Sequence, residues 1–63
     1  MKKNAEQQIR ERIAHNEIYI GGPIASRVYT SGLTYGVPQT EDWLRGEAEA
    51  IQCENEFLRQ LLK

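Results

Sequence analysis

The chain has sixty-three residues, one cysteine, one histidine and a net charge of −1. That size allows one domain, and a chain so short buries only about 60% of its unfolded surface. Cys53 alone makes no intrachain disulfide, and Cys53 with His15 cannot supply four zinc ligands, so no metal or cofactor is expected. No apolar run approaches the roughly 20 residues of a membrane span, and the start, MKKNAEQQIRER, has no apolar signal core. A lone free thiol leans towards a reducing, cytoplasmic setting. The slight acidity makes nucleic acid an unlikely general partner.

Residues 3–18, KNAEQQIRERIAHNEI, lack Gly and Pro and consist mostly of good helix formers. Ala5, Ile9, Ile13 and Asn16 fall at helical spacing, and Ile20 would extend the stripe. The stripe is narrow, so this helix needs a cover. Residues 1–18 carry Lys2, Lys3, Arg10 and Arg12 against three acids, whereas residues 41–63 carry three bases against six acids.

Gly21-Gly22-Pro23 ends the helix. The Gly-rich middle, residues 19–39, then holds two triplets of β-branched and aromatic type, Val28-Tyr29-Thr30 and Leu33-Thr34-Tyr35, around Ser31-Gly32. A two-residue connection ending in Gly suits a tight hairpin. A short β-hairpin and an ordered loop both fit this stretch. In the hairpin register Tyr29 and Arg27 share the side away from Val28 and Tyr35. These two are the candidate contacts for a partner protein, because tyrosine gives contact area at small entropic cost.

Thr40 is a good N-cap, with Glu41 and Asp42 in the first turn, so a second helix is expected over residues 40–62. Leu44, Ala48, Ile51, Asn55, Leu58 and Leu62 follow steps of four and three, a strict heptad seam. Asn55 occupies an a position. A buried Asn there selects register and a two-stranded state. These six residues are therefore the expected self-association site. Trp43, Ala50 and Phe57, beside Gly46 and Cys53, form a second apolar surface on the same helix. Polar residues Asp42, Arg45, Glu49, Glu56 and Arg59 can pair at three- or four-residue spacing.

The stretch YGVPQTEDWLRG is similar to the turn and recognition helix of helix-turn-helix repressors, through Gly36-Val37, Trp43 and Gly46 in that order. The resemblance implies a small DNA-binding regulator. It departs from the pattern in three ways: Trp43 comes about two residues early, the preceding segment reads as hairpin or loop, and Glu41-Asp42 would repel phosphates.

No catalytic set appears. His15 has no acid or nucleophile in a readable motif, Ser26 and Ser31 sit in no elbow sequence, and Gly21-Gly22-Pro23 lacks the remainder of a phosphate loop. Glu47 and Glu54 read as helix-flanking charges. The sequence thus points to a mainly α, non-catalytic, homodimeric accessory or inhibitor protein of the kind phages and mobile elements encode. It would bind an unidentified larger protein. A DNA-binding regulator with a degenerate helix-turn-helix is the alternative.

Overall fold

The computed structural model describes residues 2–63, which form three helices: α1 (Ala5–Ile20), α2 (Ile24–Tyr35) and α3 (Glu41–Leu61). α1 starts where Asn4 accepts a 2.7 Å hydrogen bond from the Gln7 N–H, satisfying one of the orphan donors of the first turn. It runs through Ile20 and stops at Gly21-Gly22-Pro23. α3 starts as the sequence indicates, with the Thr40 hydroxyl accepting from the Trp43 N–H at 3.1 Å.

The middle corrects the sequence reading. No strand occurs among the described residues, and the stretch taken for a hairpin or loop is the helix α2. Three local features explain this. Pro23 stands just before the helix, where its missing N–H costs nothing, and its carbonyl accepts from the Ser26 and Arg27 N–H groups. Gly36 supplies the left-handed residue that ends a helix, at φ +80°. Ser31-Gly32 is not a turn but one side of a clamp on the α2–α3 connection. The buried Ser31 hydroxyl donates to the Val28 carbonyl at 2.7 Å and accepts from the Gln39 N–H at 2.9 Å. A Cβ at Gly32 would lie 3.2 Å from Pro38 Cγ, so only glycine lets the proline ring seat without displacement. Within α2 the Thr30 and Thr34 hydroxyls donate back to the carbonyls of Ser26 and Thr30.

α3 is the spine of the fold. α2 lies against its N-terminal part, where Arg27 Nη2 donates to the Leu44 carbonyl at 3.2 Å. α1 lies against its middle, through Arg12 to Glu54 and Asn16 to Asn55. The molecule measures 37 × 25 × 16 Å. A helix with its side chains is about 10 Å across, so a body this thin leaves every helix an outer face. Leu44 is the only fully buried apolar side chain among the described residues, and the other fully buried residues are Asn16, Ser31 and Asn55.

Ser31→Ala should cost about 1–3 kcal/mol in urea unfolding, because it leaves the Gln39 N–H without its acceptor. Thr30→Ala, which removes only an exposed back-bond, should change stability by less than about 0.5 kcal/mol.

Candidate interaction surfaces

The heptad seam of α3 faces the rest of its own chain. Leu44 and Asn55 are buried, while Ala48, Ile51, Leu58 and Leu62 are half-buried. Asn55 finds its amide partner in α1: Asn16 Nδ2 donates to Asn55 Oδ1 at 2.8 Å and to Glu54 Oε1 at 2.7 Å. Asn55 Nδ2 in turn points at the Ile13 carbonyl, 3.4 Å away. The two amides are 3% and 2% exposed, so these bonds replace water almost completely. The sequence reading assigned Asn55 a role between two copies of the chain; its amide partner in this structure is Asn16 of the same chain.

Charges draw α1 and α3 together around this pair. Arg12 Nε lies 2.8 Å from Glu54 Oε1, and Arg59 pairs with Glu17. The hydrogen bond from Arg12, followed by that from Asn16, holds the Glu54 carboxyl below its ordinary range. The same pairing raises the Arg12 guanidinium. Both groups are solvent-exposed, so the ion pair itself adds little to stability.

The proposed partner contacts do not come together. Tyr29 is 70% exposed on the outside of α2, whereas the Arg27 side chain turns inward and is 12% exposed. Residues two apart lie on nearly opposite sides of a helix, but on one side of a strand, so the change from hairpin to helix separates them. Arg27 instead lines a cleft of about 280 Å³ between the end of α1, α2 and the start of α3, with Ile18, Tyr19, Leu44 and Glu47. Its Nη2 is 3.7 Å from Glu47 Oε1, an ion pair too long for a hydrogen bond. That carboxylate oxygen has no hydrogen-bond partner. Burial, and then the neighbouring Glu47 carboxylate, push the Tyr19 hydroxyl up to about 12. The Arg27–Glu47 pair ties α2 to α3.

What remains outward is apolar. Tyr29 and Leu33 are 70% and 71% exposed on one side of α2, and Val37, in the turn after Gly36, is 65% exposed. On α3, Trp43, Phe57 and Leu61 are 45%, 61% and 54% exposed, and Trp43 meets the edge of Tyr35 with ring centroids 5.7 Å apart. The sequence flagged the second surface of α3 but missed the first. A strand register puts Tyr29 and Leu33 on opposite faces, and only the helical period of α2 brings them to one side.

No group of His, Cys, Asp and Glu suited to a metal occurs among the described residues, and no helix is long and apolar enough to cross a membrane. The chain matches no protein-family model, no curated protein and no solved structure.

Asn55→Leu should lower stability by about 1–3 kcal/mol, since it strips a buried partner from the Asn16 amide. The double change with Asn16→Leu should recover part of that loss. A thermal-melt double-mutant cycle would show a coupling of about 0.5–3 kcal/mol. An unchanged melt for Asn55→Leu would refute the role given to the pair. The raised Tyr19 makes a second prediction. The folded chain holds this proton more tightly than the unfolded chain, so its contribution is complete below pH 10.0 and is lost as pH rises towards about 12. Melting temperature should therefore fall less steeply over that interval in Tyr19→Phe than in the wild type.

Proposed function

We propose that the chain is a non-catalytic protein-binding accessory or inhibitor protein that acts as a homodimer. The observation that carries this reading is the imbalance of burial: among the described residues one apolar side chain is fully buried, while nine large apolar ones stay at 42% exposure or more. Contiguous exposed apolar surface on a small protein marks an interaction site, and a 63-residue chain with so little apolar interior gains stability by covering it.

The dimer contact is best sought on α2. Its only charged residue, Arg27, is turned into the chain, so the Tyr29 and Leu33 side is free of ionised side chains from its own helix. Two copies of one patch can meet across a two-fold axis without setting like charges against each other. The six residues of the α3 seam, Leu44, Ala48, Ile51, Asn55, Leu58 and Leu62, are the less favoured contact, because α1 and α2 cover them in part and Asn55 is already hydrogen-bonded.

One observation favours the second reading, a DNA-binding regulator. α2, the turn at Gly36 and α3 have the connectivity of a helix-turn-helix. Electrostatics weigh against it. α3 opens with Glu41 and Asp42 and carries three bases against six acids with its flanking residues. Phosphates are attracted by the opposite balance.

Sedimentation equilibrium tests the proposal. The wild type should sediment at twice the chain mass in a concentration-dependent way, and Leu33→Arg should be monomeric with an unchanged helical circular-dichroism spectrum. A wild-type monomer at the highest attainable concentration would overturn the homodimer. A shift of mixed-sequence duplex DNA at physiological salt would favour the regulator.

A further inference from the structure

The outward side of α3 carries a second heptad stripe. Trp43, Gly46, Ala50, Cys53 and Phe57 follow steps of three and four, all exposed, with Leu61 beyond them. Two aromatic side chains thus flank three small residues, a shallow depression along the helix. Gly46 is the informative member. Glycine in a helix interior is costly in backbone entropy, so its presence there calls for a reason. At Gly32 the reason lies within the chain, where Pro38 occupies the space of a Cβ. At Gly46 a Cβ would meet nothing within 4 Å. No packing inside this chain calls for the missing side chain.

The charges beside the stripe say what could fill it. One edge carries Asp42, Glu49 and Glu56, seven residues apart. The cations expected beside Glu49 and Glu56 are engaged with other acids: Arg45 lies 3.4 Å from Asp42, and Arg59 pairs with Glu17 on α1. Glu49 and Glu56 consequently have no ion pair among the described residues. The other edge carries Glu47 and Glu54, held by Arg27 and Arg12. A second copy laid antiparallel on this face sets Glu49 and Glu56 against the same residues of its partner, and one laid parallel brings them no unpaired cation, because Glu47 and Glu54 on the facing edge are acids already paired within the chain. Like charges across an interface are penalised, and opposite ones steer association.

We infer that this face docks an amphipathic helix of a partner protein, one with apolar side chains for the depression and lysine or arginine along its edges. Helix-on-helix docking through anchors at three- and four-residue steps is a general mode of recognition. The inference rests on the protein-binding reading and names the partner's chemistry.

The test uses the full chain and two synthetic helical peptides, both below their own association concentrations. Each has leucine at heptad a and d positions. One has lysine at e and g, the other glutamate. Trp43 is the only tryptophan, so its fluorescence reports the face directly. The lysine peptide should bind saturably, shift the emission to shorter wavelength and weaken as salt is raised. The glutamate peptide should not bind. Glu49→Lys with Glu56→Lys should weaken the lysine peptide by about tenfold. Gly46→Leu should abolish binding by filling the depression, and its helicity should be kept or increased. Leu33→Arg, on α2, should bind as the wild type does. No saturable binding, equal binding of both peptides, or wild-type affinity in Gly46→Leu would overturn the inference. If Phe57→Arg dissolves a wild-type dimer that Leu33→Arg leaves intact, a second copy covers this face. The inference then fails while the homodimer stands.

Discussion

The amide pair between Asn16 and Asn55 is the contact on which the arrangement of this chain depends. It is the one buried hydrogen bond between α1 and α3 that joins side chain to side chain with water excluded on both sides. Apolar contact is forgiving about register, because one aliphatic side chain can slide past another at small cost. An amide facing an amide is not, since a shift by one residue leaves two desolvated groups unpaired. In a fold with a single fully buried leucine, directional bonds therefore set the geometry that area alone would leave loose. Glu54 extends the pair to the surface, accepting from Asn16 and Arg12 together.

That choice of partner redistributes the charges. With α1 held on α3, Arg12 of α1 reaches Glu54, while Arg59, a cation that could have neutralised the polar face of α3, is drawn across the helix interface to Glu17. Arg27 is withdrawn further, into the cleft beside Glu47 and the Leu44 carbonyl. The outer surface is left with two apolar faces of different character. The one on α2 bears no charge of its own helix, and the one on α3 lies beside Glu49 and Glu56, which have no ion pair among the described residues. The pairing of α1 with α3 thus reaches the outer surface through the allocation of ion pairs.

The clamp at the α2–α3 turn shows how a polar group can stand in for apolar core. Ser31 closes the connection with one hydroxyl used as both donor and acceptor, and Gly32 lets Pro38 approach. This fixes where α3 begins, and the Thr40 cap then starts it. Tyr35 and Trp43 bridge the same corner on the outside, so the turn is held from both sides.

The sequence by itself determined the two flanking helices, the Thr40 cap and the apolar seam of α3, because helix signals are local. Thr40 caps within three residues, and a heptad stripe shows in any list of residues. It also exposed the oddity of Asn55 and the second apolar surface of α3. It did not determine the middle. Val28, Thr30 and Thr34 prefer strands only as isolated residues, and Ser31-Gly32 has the composition of a turn. Their helical state rests on Pro23 at one end, Gly36 at the other and Pro38 lying against Gly32, a contact six residues away. Nor could the sequence say that Asn55 meets Asn16, thirty-nine residues earlier, rather than another Asn55. A heptad records which side of a helix is apolar but carries no mark of what covers it. Only the tertiary structure, by bringing α1 across the seam, decided that the covering element belongs to the same chain. The same step decided which carboxylates would be left without a partner.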